Sequence, residues 1–271
     1  MKIELDINPE SVAEELTRFI ASHVDRARAK GGVLGLSGGL DSAVVAALAV
    51  RALGSDRVWA FILPYRTSSA ESVADARLVA ERLGLSPVVM DITPQIDAYF
   101  EATGEQTPLR VGNKAARERM SILYDQAKAR GGLVLGTGNR TERLLGYCTL
   151  WGDMACDLAP IGGLYKAQVR QLASFLGVPD RIIGKAPTAD LWPGQTDEDE
   201  LGLSYEKADV LLHLLVDRRM PQREVAALGY DLEEVRKVRR LRLTSAYKRR
   251  LPPAPPPLVS GGFPRRRRRL P

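Results

Sequence analysis

Val33 to Leu36 is a short apolar run that leads without a break into Ser37-Gly38-Gly39-Leu40-Asp41-Ser42, and then into Ala43 to Leu53, which is apolar almost all round. This order predicts a buried strand, a glycine-rich turn and a buried helix. Few folds are left open, because a strand feeding a helix through a tight turn is the opening unit of a parallel α/β sheet. The two glycines let the backbone approach a ligand and adopt positive φ. The helix start offers free N–H groups and the positive end of its dipole, which together favour phosphate. Asp41 would then hold a magnesium ion against that phosphate. The plainer reading is an ordinary strand-to-helix turn, which is also rich in Gly, Ser and Asp.

The common phosphate loop, G-x-x-x-x-G-K-[ST], needs a lysine where this chain has Leu40-Asp41, and G-x-G-x-x-G does not match either. The rest of the chain extends the α/β pattern. Asn8-Pro9 predicts a helix start, followed by an apolar stripe from Val12 to Val24 with His23 beside it in a structural position. Val58 to Leu63 predicts a second strand, Pro64 to Ser69 a polar loop, Ala70 to Leu83 a helix and Val88 to Asp91 a third strand. Residues 92–112 read as irregular. A helix from Lys114 to Arg130 and a strand from Gly132 to Leu135 follow, then a second glycine-rich loop, Gly136 to Glu142. Ligands in such sheets sit beyond the carboxyl ends of the strands, so both loops should face one ligand, with Glu142 sharing a magnesium ion with Asp41. Lys166 opens a helix to Leu176. Lys185 to Glu200 is a polar loop, either a lid over substrate or a plain surface connection. Tyr205–Val216, Pro221–Leu228 and Leu232–Ala246 read as helices, the last with Asp231 and Glu234 as a capping-box-like pair and His213 as a core histidine. The expected fold is a doubly wound parallel sheet, Rossmann-like, flanked by helices. Residues 1–250 form one domain and 251–271 a flexible tail rich in proline and arginine.

The chain has 271 residues, 45% of them hydrophobic, enough for one large α/β domain, and lacks an 18-residue apolar run that would predict a membrane span. Its start, MKIELDINPE, is too charged for a secretory leader. Cys148 and Cys156 form no C-x-x-C pair, so a reduced, cytoplasmic setting fits best. Five of the six surplus positive charges lie in Arg265 to Arg269, so the body is nearly neutral. That run would suit nucleic acid or an anionic surface, but a solvated terminus is preferred, and nucleic acid is not the expected partner.

Ser37 to Ser42 resembles the pyrophosphate-binding SGGxDS loop of the PP-loop ATPases, the adenine-nucleotide α-hydrolases. Further along the chain the likeness narrows. Asn113 to Met120, Gly136-Thr137-Gly138-Asn139 with Glu142, Gly152 to Pro160, Leu164-Tyr165-Lys166 and Lys185 to Leu191 resemble successive motifs of the NAD synthetase family. The resemblance implies a ligase that uses ATP to adenylate the carboxylate of deamido-NAD+, after which ammonia displaces AMP to give NAD+. It implies that Gly35, Leu36, Ser37, Gly38, Gly39, Leu40, Asp41, Ser42, Thr137, Lys166 and Thr188 contact ATP. Asp41 and Glu142 would bind Mg2+, and Asp41 and Lys166 would be catalytic. Arg117, Asp157, Leu150, Tyr247 and Lys248 occupy the deamido-NAD+ positions. Two of these depart from the family pattern: Leu150 replaces a substrate-binding lysine, and Tyr247-Lys248 replaces a His-Lys pair. Free ammonia is the expected nitrogen donor, because the chain has no room for the amidase domain of glutamine-dependent members. A homodimer with substrate at its interface is also expected. One rival is a tRNA-thiolating or lysidine-forming PP-loop enzyme, opposed by the absence of paired catalytic cysteines. The other is a non-catalytic ATP sensor, opposed by the presence of both Asp41 and Glu142.

Overall fold

The computed structural model describes residues 5–104, 106–188 and 196–255. The Arg265–Arg269 run and the stretch 189–195 of the polar loop lie outside the described residues. The chain opens with α1 (Pro9–Arg26), where the Asn8 side chain accepts from Ser11 N at 3.0 Å and Pro9 takes the first turn, as the sequence predicts. Then come β1 (Gly32–Gly35), α2 (Leu40–Leu53), β2 (Val58–Ile62), α3 (Ala70–Arg82) and β3 (Val88–Val89). They are followed by α4 (Thr93–Thr103), α5 (Pro108–Arg130), β4 (Leu133–Val134), α6 (Arg140–Leu145), α7 (Lys166–Phe175) and α8 (Asp180–Ile183). The described chain ends through α9 (Asp197–Leu201), α10 (Tyr205–Leu212), α11 (Gln222–Ala227) and α12 (Leu232–Thr244).

All described strand pairs are parallel, in the order β3-β2-β1-β4, with Gly32 opposite both Val58 and Leu133 and Phe61 opposite Val88. The order reverses between β1 and β4, and a crevice opens at such a switch point beyond the strand ends. Successive side chains of β1 point to opposite faces. Leu34 packs with α1, α2 and α7, while Val33 packs with Phe61, Val134 and the buried side chains of α4 and α5. A further cluster joins Leu145 of α6 to α10, α11 and α12.

Residues 92–112 are not irregular. Pro94 and Pro108 sit in the first turns of α4 and α5, where a missing N–H costs nothing. Asp91 accepts from Thr93 N at 2.8 Å, Thr107 caps α5, and Ile96 and Phe100 bury one face of α4. α2 begins at Leu40 rather than Ala43, so Asp41 belongs to its first turn. α10 stops at Leu212 and passes into a π-helical turn, His213–Asp217. His213 is consequently only half-buried and lies 3.2 Å from an Asp217 oxygen, outside the core. Glu234 does not close a capping box on Asp231; it accepts from Lys207 Nζ at 2.7 Å, leaving Asp231 to cap through Glu233 N.

Candidate active site

At the switch point lies a cleft of about 660 Å³, walled by the carboxyl ends of β1, β2 and β4 and by the two glycine-rich loops. That volume suits a nucleotide-sized ligand (pockets run roughly 300–1,000 Å³). Gly38 holds φ +82°, and a Cβ there would stand 2.1 Å from the Ser72 carbonyl oxygen, so conformation and space both require glycine. Ser42 fixes the loop from within. Its hydroxyl donates to Gly39 O at 3.0 Å, accepts from Ser37 N at 3.2 Å and meets Ser37 Oγ at 3.1 Å. Gly39 caps α2 with no side chain, so the first-turn amides of α2 are free to serve an anion in the cleft.

Three predicted residues converge beneath this loop. Lys166, the first residue of α7 and only 4% exposed, is ion-paired with Asp41 Oδ2 and lies 3.7 Å from Glu142 Oε1. Burial alone would drain its proton, but the two carboxylates outweigh burial and raise its pKa, so the ammonium is firmly charged. Glu142 is pushed up to about 8, first by burial and then by Asp41, with Lys166 opposing. Glu142 also serves α6: its carboxylate accepts from Asn139 N at 3.2 Å while Asn139 Oδ1 accepts from Glu142 N at 3.0 Å. The same buried Asn139 donates from Nδ2 to Asp41 Oδ1 at 3.3 Å, tying the two glycine-rich loops together.

A second layer escaped the sequence reading. Asp209, 1% exposed, accepts from Thr141 Oγ1 and from Ala167 N at 2.8 Å, so one carboxylate aligns the starts of α6 and α7, which carry Glu142 and Lys166. Burial pushes Asp209 up to about 6, against these hydrogen bonds. The only sequence signal was an acid inside the apolar run Ala208 to Leu212. Tyr205 donates to Asp197 at 3.0 Å, and the Tyr147 hydroxyl, with one proton to give, lies 3.1 Å from Asp197 and 2.9 Å from Glu200. The Lys166 ammonium lies 5.3 Å from the Tyr205 ring centroid. Asp197 and Glu200 thus wall the cleft, where the sequence showed only an acidic loop.

Thr137, Thr188 and Lys248 also line the cleft. Lys248 donates to the Gly146 and Cys148 carbonyls at 2.8 and 2.6 Å. The other predicted substrate residues are not brought to its lining. Arg117 Nε donates to Leu150 O at 3.2 Å, which joins two of them to each other. Asp157 accepts from Val134 N at 2.8 Å and so pins the end of β4, and Tyr247 is 61% exposed. Among the described residues no group of three or more metal-ligating side chains gathers. Both cysteines are free thiols. Burial pushes Cys148 up to about 12 and raises Cys156, so neither is a thiolate nucleophile at neutral pH.

The family model described as NAD synthase matches residues 12–252. An NH(3)-dependent NAD(+) synthetase from Trichlorobacter lovleyi is 51% identical over 248 residues, covering 92% of this chain and 91% of that protein. Among solved structures, the NMN synthetase of Francisella tularensis superposes with a TM-score of 0.83 at 33% identity, over 92% of this chain and 99% of that one. The NH3-dependent NAD synthetase of Campylobacter jejuni gives 0.79 at 32% identity over the same shares.

Proposed function

This chain belongs to the NAD synthase family, and from that membership and the cleft's geometry we propose that it amidates deamido-NAD+ with free ammonia, consuming ATP and releasing AMP and pyrophosphate. The observation that carries the mechanism is the meeting of Asp41, Glu142 and Lys166 beneath the phosphate loop. A carboxylate is a poor acyl donor until its oxygen carries a better leaving group. An oxygen of the nicotinate carboxylate attacks the α-phosphorus of ATP, and the bond from that phosphorus to the bridging oxygen breaks, releasing pyrophosphate. The ammonia lone pair then attacks the acyl carbon, the carbon–oxygen bond to AMP breaks, and the nitrogen sheds its surplus proton to solvent.

Phosphoryl transfer of this kind needs positioning and charge neutralisation more than proton transfer. The residues from Gly35 to Ser42 seat the polyphosphate on backbone amides, Thr137 and Thr188 lie along the same cleft, and the Lys166 ammonium faces the charge that builds on pyrophosphate. Asp41 and Glu142 are two carboxylates beside one ammonium, so the cluster presents one more acid than it has cations. That fits a hard divalent cation: Asp41 and Glu142 would hold Mg2+, which when bound supplies charge neutralisation to the phosphate oxygens.

On the substrate side the reading keeps Lys248 in the cleft, with Arg117, Asp157, Leu150 and Tyr247 assigned on the family motifs. A homodimer that completes this side is part of the proposal. The exposure of two large apolar side chains, Leu109 at the cleft and Trp151, is in keeping with it. We further take residues 1–250 as one catalytic domain, 251–271 as an appendage, and the cytoplasm, where thiols such as Cys148 stay reduced, as its location.

The test is an assay of the purified chain with Mg-ATP, deamido-NAD+ and ammonium, read for NAD+ and AMP by mass spectrometry. Equal yields of both are expected, with none from Asp41→Ala. Preferential turnover of nicotinate mononucleotide, offered in parallel, would move the reading toward the reaction named for the Francisella protein. AMP without amide would point to another acceptor.

A further inference from the structure

The sequence of α12, from Leu232 to Thr244, carries Arg239 and Arg242 three residues apart, which places them on one face of the helix. α11 packs along α12 and brings Arg223 to the same side. All three arginines line a cavity of about 370 Å³, together with Gln222 and an apolar wall of Leu215 and Met220. No carboxylate lines this cavity, and none of its residues lines the active-site cleft. Glu224, next to Arg223, is exposed and lines neither cavity, and the other nearby acids are committed elsewhere. Glu233 accepts from Arg236 at 2.5 Å, Glu234 pairs with Lys207 at 2.7 Å, and Asp217 is held by Arg140, Tyr165 and His213.

Among the described residues Arg223, Arg239 and Arg242 make no ion pair, and Arg242 Nε is buried without a hydrogen-bond partner. Buried donors of that kind are rare and ask for an acceptor. A fourth cation adds to the imbalance. Arg249 crosses the end of α12, donating to Arg143 O at 2.7 Å and Leu144 O at 3.0 Å. Its hold on the proton falls below the usual guanidinium range, through burial first and Arg242 next.

We propose that this cavity is a second anion site, which binds a phosphate chain of nucleotide size on the forks of Arg223, Arg239 and Arg242, with an apolar body such as a nucleobase against Leu215 and Met220. A planar guanidinium accepts two phosphate oxygens side by side, and three of them suit two or more linked phosphates. The shared chemistry is the phosphate chain, and a free polyphosphate and a nucleotide differ only in the apolar body.

Equilibrium dialysis of the full chain at low salt, with ADP and separately with inorganic tripolyphosphate, tests the site. Two bound ligands per chain are expected for the wild type and one for R239Q/R242Q, with NAD+ formation unchanged. R223Q, on the exposed rim, should weaken the second event at least about tenfold, and it decides the question alone if the double variant does not fold. A second site filled by both probes supports a nucleotide, and one filled by tripolyphosphate only supports a free phosphate chain. A single site in the wild type overturns the proposal. So does a short labelled RNA held by these arginines with no second nucleotide bound.

Discussion

Lys166 answers for two acids at once. Replacing it with methionine leaves Asp41 and Glu142 facing each other in a site that excludes most water. Removing one partner of a buried ion pair costs about 3–5 kcal/mol, and a fall of that size is expected in urea unfolding of Lys166→Met. Added magnesium should recover part of it, because a divalent cation restores the missing charge, while NAD+ formation should drop at least about a hundredfold. An unchanged midpoint would mean the acids are not coupled through the ammonium. Gly38→Ala tests the loop itself. It asks an L side chain to hold φ +82° with a methyl 2.1 Å from Ser72 O, a strain of about 1–3 kcal/mol before any clash. The thermal shift that ATP gives the wild type should vanish in this variant. Asp41 and Glu142 could be read from the sequence because each stands in a glycine-rich turn after a strand, and Lys166 because its Leu164-Tyr165-Lys166 run resembles a family motif. The tie from Asn139 to Asp41 could not, nor could the places of Asp197 and Asp209, because these partners arrive from elements far along the chain.

Between elements, the Asp209 carboxylate is the joint where α6, α7 and α10 meet. Burial raises it from 3.8 to about 6, so the folded chain binds a proton that the unfolded chain has already released. The sign follows: this group favours folding below about pH 4, and the contribution is lost as the pH rises through about 6. At about 1.4 kcal/mol per unit of displacement the loss is about 3 kcal/mol. Urea titrations of wild type and Asp209→Asn over that interval should show the wild type losing about that much relative to the variant. Parallel profiles would rule out a raised carboxyl. The strand–turn–helix alternation was legible because apolar runs and glycines mark it. The α4 and α5 starts were not, because a proline signals a helix start as readily as a loop and only the burial of Ile96 and Phe100 decides between them. The π-helical turn at His213 left no mark in an apolar stripe that continues past it.

At the scale of the whole molecule, the sheet order places both glycine-rich loops at one edge, as the alternation of strands and helices predicts. The proposed dimer puts two exposed apolar side chains to use: Leu109, a wall of the cleft, is 66% exposed and Trp151 50% exposed. Light scattering should find a dimer for the wild type and a monomer for Leu109→Glu/Trp151→Glu, with amidation falling alongside. An active monomer would remove the dimer from the proposal. Ending the chain after residue 255 should leave amidation unchanged, and a loss would give the tail a part in it. Asp41 and its ammonium partner are 125 positions apart, and the carboxylate that aligns the ammonium's helix lies 42 beyond the next residue, Ala167. A chain emerging from the ribosome therefore displays its phosphate loop long before it has the charges to use it. A truncation between Asp41 and Lys166 would not leave a weakened enzyme, but a phosphate loop without the ammonium that is paired with it.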